Sequence, residues 1–446
     1  VTDVSLGWSL GEIADALSGV LIGEASLSAC AVTTDSRENI DGQLFVALVG
    51  ETFNGHAFVR DALTRGAVAV VVERDSGTDV APRIEVESTG DALAALAKKR
   101  REELSIPVVA ITGSTGKTST KDLLAAGVEG SWASPRSFNN EIGVPLTILG
   151  TPPDATALIV EVGSRGRGHI NWLAPIVRPD VAVITNLGVV HLETFGSPAG
   201  LADAKFELVE ALDERGVAVL PYGEESLDRA GGHSVITFGG SGADVEVSGV
   251  VTDDHGTPTF DLEVGRFAER VSVPLAGEHQ ALNTAAAVAV ATALDLDIDV
   301  FTSRLTTATG SAWRMEVHRS SYTVVNDAYN ANPQSVESAL RTVAEMSGRH
   351  IAVLGAMAEL GYVCGHEHTR LGRLVSDLGF AELMVVGPDH GYALGFEGVV
   401  RKATGIEEAV DTLADIIEPG DVVLVKASRS SSLERLALHL IEDSAT

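Results

Sequence analysis

The stretch VVAITGSTGKTSTKDLL, Val108 to Leu124, decides how the rest of the chain is read. An apolar run of β-formers passes into a glycine turn, and the turn passes into a helix pattern. In that context Gly-Lys-Thr means a bound phosphate. The backbone amides of Gly113, Ser114, Thr115, Gly116, Lys117 and Thr118 are expected to face phosphate oxygens, aided by the positive end of the following helix. Lys117 is expected to pair with the β- and γ-phosphates, and the hydroxyl of Thr118 or Ser119 to sit on Mg²⁺. The spacing is short: the first glycine of the longer pattern would stand where Ile111 is. A nucleotide site alone does not choose between a switch GTPase, a kinase and a ligase.

Outward from the loop, the 446 residues read as three α/β domains. Residues 1–103 mix a helix pattern (SLGEIADALSG) with strand-like runs (QLFVALVG, GAVAVVVE) and end in a charged helical connection, DALAALAKKRREEL. Residues 104–311 carry the loop and then TALIVEVGS, DVAVITNLG and GVAVLPYG at intervals. Strands alternating with helices predict a phosphate-loop-type, mostly parallel sheet with helices on both faces. HSVITFGG, ADVEVSGVV and PTFDLEVGRFAERVSVPL predict an antiparallel edge, before the helix HQALNTAAAVAVATAL closes the block. Residues 312–446 alternate again, through YTVVNDAY, RHIAVLG, AELMVVG and DVVLVKAS, and predict a dinucleotide-binding-like α/β domain. A glycine fingerprint is lacking there, so no nicotinamide cofactor is expected.

The net charge of −30 argues against a nucleic-acid partner, whose phosphates would be repelled. An acidic chain that binds an anionic ligand must gather its cations at the site. Only seven lysines are present, and Lys117, Lys205 and Lys426 fall inside motifs. The apolar runs are too short for membrane insertion. The acidic, amphipathic start VTDVSLGWSLGEIADAL does not read as a secretory leader. Two distant cysteines, Cys30 and Cys364, fit a reducing cytosol. A cytoplasmic location is expected.

Further candidates sit at strand ends, where open α/β sheets bind ligands. Glu161 ends IVEVGS and is a candidate Mg²⁺ ligand; Asn186 and His191 follow the next strand in NLGVVH. SFNNEIGVPLTIL, with Asn139 and Asn140, reads as a loop entering a helix. Lys205, amid Asp203 and Glu207, reads by itself as an ordinary surface salt bridge.

Together these motifs resemble the Mur ligases, the ATP-dependent family that builds the peptide stem of peptidoglycan precursors. The likeness spans nearly the whole chain and rests on TTDSRENIDGQLFVALVGETFNGHAFV, GSTGKTSTK, NNEIGVPLTIL, NLGVVHLETFGS, AKFEL, WRMEV, NDAYNANPQS and VLVKASR. NNEIGVP with NDAYNANP is similar to the branch that adds D-alanyl-D-alanine to a UDP-N-acetylmuramoyl-tripeptide. The Asp-Asn-Pro-Arg signature of the diamino-acid-adding branch is absent. The resemblance implies that residues 1–103 hold the UDP-sugar, 104–311 hold ATP, and 312–446 close over both and take the dipeptide. It implies substrate contacts at Thr34, Asp35, Ser36, Arg37, Asn54, Gly55, His56, Asn139 and Asn140. It implies an adenine and ribose frame from Asn283, Asp327, Tyr329 and Asn330, and a phosphate contact from Arg314. Lys426, Ser428 and Arg429 would line the dipeptide site or the closed cleft. Lys205 matches the family's lysine that CO₂ carbamylates, which would let it join Thr118, Glu161 and His191 in holding two Mg²⁺ ions. A monomer is expected.

The chain departs from the family pattern at Ala356, at Ala427 and in EVGS. Two rival readings remain at this point: a nucleotide-binding homologue without ligase activity, and a sister ligase adding a single amino acid.

Overall fold

The computed structural model describes residues 6–188, 195, 197–223 and 225–445. Val108–Thr112 is buried along its whole length because helices cover both faces of its sheet. Its alternating side chains feed two cores. Val109 and Ile111 pack with the alanine-rich helix Gln280–Ala293, while Val108 and Ala110 pack with the helices Thr89–Glu103, Gly143–Leu149 and His169–Val177. That two-sided burial is why the strand reads as an unbroken apolar run.

The central sheet has nine strands, in the order Phe267–Ser272, Pro258–Val264, Val245–Thr252, Ser234–Gly239, Val217–Pro221, Val181–Ile184, Val108–Thr112, Leu158–Glu161 and Trp132–Ala133. The antiparallel edge is narrower than the sequence suggests. Ser234–Gly239 runs parallel to Val217–Pro221 and also to the start of Val245–Thr252; only the last three strands form a meander. The short link at 240–244 suffices because the parallel overlap is two residue pairs, Phe238 with Val245 and Gly239 with Glu246.

The N-terminal sheet runs Val20–Ile22, Arg83–Val86, Ala69–Glu73, Leu44–Val46, Val32–Thr33. Its connection to the centre is no solvated linker. One apolar cluster runs from Leu10 through Leu93 and Leu96 to Ala218. Arg100 and Arg101 are buried: Arg100 Nη2 donates to Thr151 O and Arg101 Nε to Val177 O, each at 2.8 Å.

The C-terminal sheet runs Glu316–Arg319, Thr323–Asn326, Val422–Lys426, His350–Leu354, Glu382–Val386, Val399–Ala403, parallel except for the first hairpin. Its two edge strands escape the sequence reading because both carry charges, in EVHR and VVRKA.

The C-terminal domain lies against the centre. Arg314 Nη2 donates to Ser137 Oγ at 2.9 Å, and Arg319 Nη2 to Asp254 O at 2.9 Å. Among the described residues, no helix is long and apolar enough to cross a membrane.

Candidate active site

The loop after Val108–Thr112 opens a cavity of about 660 Å³ between the central and C-terminal domains. Two glycines shape it. Gly113 (φ +150°) and Gly116 (φ +82°) adopt conformations that strain other residues, and a Cβ would overlap Thr185 at the first and Asn283 at the second. The free amides differ from the expected set. Asn186 Oδ1 accepts from Ser114 N at 3.0 Å and Thr115 N at 2.9 Å. The N–H groups of Gly116, Lys117, Thr118 and Ser119 have no partner among the described residues. They lie at the start of the 11-residue helix Lys117–Gly127, and Gly113 N likewise has no partner among the described residues, so of the expected amides only Ser114 and Thr115 are taken and the helix start is left open to an anion. Asn186 thus props the loop from the neighbouring strand end, a role its spacing did not reveal.

Cations converge here. Lys117 Nζ donates to Gly113 O at 2.7 Å. Burial pushes its pKa down; Glu161 opposes that shift and Arg314 adds to it. Arg314 reaches across from the C-terminal domain, its guanidinium 4.1 Å from the Tyr329 ring. Its Nε is buried without a hydrogen-bond partner among the described residues. An orphaned guanidinium donor beside free helix amides is a site built for an anion.

Thr118 Oγ1 donates to Glu161 Oε2 at 2.9 Å, and Asn139 Nδ2 to Glu161 Oε1 at 2.8 Å. Glu161 is almost fully buried at the end of Leu158–Glu161. A hydroxyl, a carboxylate and room for phosphate oxygens fit Mg²⁺, which is usually held by one or two carboxylates plus phosphates and water. Among the described residues no group of three or more His, Cys, Asp or Glu could hold a metal. His191 lies outside the described residues.

Lys205 is no surface salt bridge. It is buried on the helix Pro198–Glu210, and its ammonium has no partner among the described residues. Asp203 pairs instead with Arg167 and Arg229, and Glu207 accepts from Gly168 N and Asn171 N at the start of the helix His169–Val177. Burial, reinforced by Lys117, drives the Lys205 pKa well below the usual lysine range. That direction favours the neutral amine, the form able to react with CO₂.

On the C-terminal side, Lys426 Nζ donates to Asp327 Oδ2 at 2.5 Å and Asn330 O at 2.9 Å. Asp327, Tyr329, Asn330 and Lys426 share the cavity wall with Asn283. Ser428 and Arg429 do not line it. Ser428 Oγ accepts from Ala358 N at 2.8 Å, and Arg429 pairs with Glu434 at 2.7 Å and lies over Trp313. Asn140 lines the cavity, and its Oδ1 accepts from Ile142 N at 3.2 Å and Gly143 N at 2.8 Å just before Gly143–Leu149.

None of the N-terminal candidates lines this cavity. Arg37 holds the Asp35 carboxyl down at about 2, through paired bonds from Nε and Nη2. Ser36 is buried between them in sequence. Asn54 caps the short turn Gly55–Phe58 by accepting from His56 N at 3.0 Å. His56 Nε2 accepts from Glu73 N at 2.9 Å, which fixes a neutral ring; burial lowers its pKa against the pull of Glu73.

The sequence reading passed over Ser137, which bonds Arg314, and His279, pushed down to about 4 by burial and bonded to Ser338 Oγ at 2.8 Å. It also passed over Tyr222 and Phe238, which give the wall an aromatic stretch. Only the position of SFNN and YG beside strand ends could have drawn attention to Ser137 and Tyr222.

Residues 30–101 match the Mur ligase family, catalytic domain; residues 111–291 match the Mur ligase middle domain; residues 313–429 match the Mur ligase, glutamate ligase domain. The UDP-N-acetylmuramoyl-tripeptide–D-alanyl-D-alanine ligase of Escherichia coli (strain K12) is 32% identical, over 98% of this chain and 98% of its own. UDP-N-acetylmuramoylalanyl-D-glutamyl-2,6-diaminopimelate–D-alanyl-D-alanyl ligase from Acinetobacter baumannii superposes with a TM-score of 0.87 at 29% identity, covering 98% of both chains. The MurF ligase from Thermotoga maritima, solved in complex with ADP, superposes with a TM-score of 0.82 at 30% identity, covering 93% of this chain and 97% of that one.

Proposed function

Since the chain belongs to the Mur ligase family, we propose that it joins D-alanyl-D-alanine to a UDP-N-acetylmuramoyl-tripeptide with conversion of ATP to ADP and phosphate. The product would be a UDP-N-acetylmuramoyl-pentapeptide, a peptidoglycan precursor made in the cytoplasm, and the chain would act as a monomer. The observation that carries the reaction type is the meeting of free helix amides, Lys117 and the unpaired Arg314 Nε at one cavity. Relatives matched end to end carry the choice of substrates.

A carboxylate is a poor electrophile. Phosphorylation by ATP makes it acylating: the tripeptide carboxylate attacks the γ-phosphorus, ADP departs, the dipeptide amine attacks the acyl carbon, and phosphate leaves. The first step presses two anions together. At about 4 Å and an effective dielectric of about 20, unit charges repel by about 4 kcal/mol. Lys117, Arg314 and the amides from Gly116 to Ser119 oppose that repulsion, and phosphoryl transfer is catalysed largely by such positioning and charge neutralisation. Thr118 and Glu161 would hold Mg²⁺, which when bound neutralises phosphate charge; carbamylated Lys205, with His191, would hold a second ion. Tyr329 orients Arg314, so closure of the C-terminal domain both delivers a cation and excludes water.

ADP release measured with each substrate omitted in turn tests the function. The expected result is release only when acceptor tripeptide and ATP are both present, and sustained turnover only when the dipeptide is added. Turnover supported equally well by single amino acids would favour a sister ligase, and none under any condition would favour a non-catalytic homologue.

A further inference from the structure

We infer that Arg165 binds a carboxylate of the acceptor peptide other than the one that reacts; the inference rests on the acceptor proposed above. The Acinetobacter relative's name spells out an acceptor ending in D-glutamyl-2,6-diaminopimelate. A glutamyl residue in a peptide keeps one carboxylate unjoined. Diaminopimelate brings two, of which one reacts. Such an acceptor therefore carries spare anions close to the reacting group, and a chain of net charge −30 must supply a cation to admit them.

Among the described residues, four lysines and arginines line the cavity: Lys117, Arg165, Arg314 and Lys426. Lys117 and Arg314 serve the nucleotide end, and Lys426 is locked to Asp327. Arg165 is left. It follows Glu161 by four residues, on the loop that Gly163 N ties to Asn139 O at 2.8 Å, and lines the same cavity as Glu161 and Lys117.

Its mounting suits the task. Arg165 N donates to His169 Nδ1 at 2.9 Å, and Nη1 to Glu141 Oε1 at 3.2 Å. The His169 side chain is 11% exposed, and its Nε2 stands 3.2 Å from the same Glu141 oxygen. The loop and one edge of the guanidinium are held. Nε and Nη2 make no hydrogen bond among the described residues, and the side chain is 65% exposed. A guanidinium fixed on one edge and open on the other presents the paired donors that match a carboxylate.

Steady-state kinetics of the wild type, Arg165→Ala and Arg165→Lys test this with three acceptors. One ends in diaminopimelate, one in lysine, and one in diaminopimelate with the glutamyl carboxylate amidated. Arg165→Ala is expected to raise KM for the first acceptor by about tenfold or more, with kcat and the KM for ATP nearly unchanged; Arg165→Lys should fall between. If the lysine-ended acceptor escapes the effect, the partner is the spare diaminopimelate carboxylate. If it shares the effect and the amidated acceptor escapes, the partner is the glutamyl carboxylate. Unchanged KM for all three, or a fall in kcat alone, would overturn the inference. Absence of wild-type turnover with every acceptor would overturn the function itself, and this inference with it.

Discussion

ADP release by Lys117→Ala will fall by about 10³-fold or more, the scale on which removing a preorganised donor from a developing anion slows an enzyme. Lys117 Nζ is held within the loop by its bond to Gly113 O. Burial, and to a lesser degree Arg314, favours its neutral form, and the Glu161 carboxylate opposes that shift. The charges of a bound triphosphate act in the same direction as Glu161 and hold the lysine protonated. Without it, Arg314 faces the transferring phosphoryl group unassisted. The loop itself should survive, because Asn186 secures it independently. Thermal unfolding of the variant should therefore match the wild type while turnover disappears. Turnover near the wild-type rate would remove Lys117 from the mechanism.

Lys205→Ala will be nearly inactive, by about 10²-fold or more, and will regain part of its activity when formate or acetate is added. The lysine is buried, has no partner among the described residues, and is pushed toward the neutral amine by burial and by Lys117. A charged ammonium so placed would oppose metal binding; a carbamate would favour it. Alanine leaves a space that a small carboxylate can enter and supply the missing anion. Full activity of Lys205→Ala in carboxylate-free buffer would exclude the carbamate.

What could be read in the chain was local. The run Val108–Thr112, its glycine turn and the helix after it occupy consecutive residues, and their order states the fold of the central domain. Glu161 could be found because a strand's last residue has a fixed relation to the sheet edge. What could not be read came from partners distant in sequence. Asn186 takes two loop amides across |i−j| of 72 and 71. Arg100 and Arg101 look solvated in AKKRREE, yet they reach carbonyls on the central domain. Lys205 looks paired with its neighbours, but helix geometry sends Asp203 to two arginines and Glu207 to a helix start. Ser234–Gly239 has the alternation of a hairpin strand; its parallel neighbour is chosen by the sheet.

The central claim is that ATP phosphorylates the acceptor's own carboxylate. It is tested most directly by ¹⁸O transfer. A tripeptide acceptor labelled with ¹⁸O in its terminal carboxylate is turned over with ATP and D-alanyl-D-alanine, and the released phosphate is analysed by mass. The account predicts one ¹⁸O atom in each phosphate formed from fully labelled acceptor, with ADP as the nucleotide product. Phosphate free of label, or AMP in place of ADP, would contradict it.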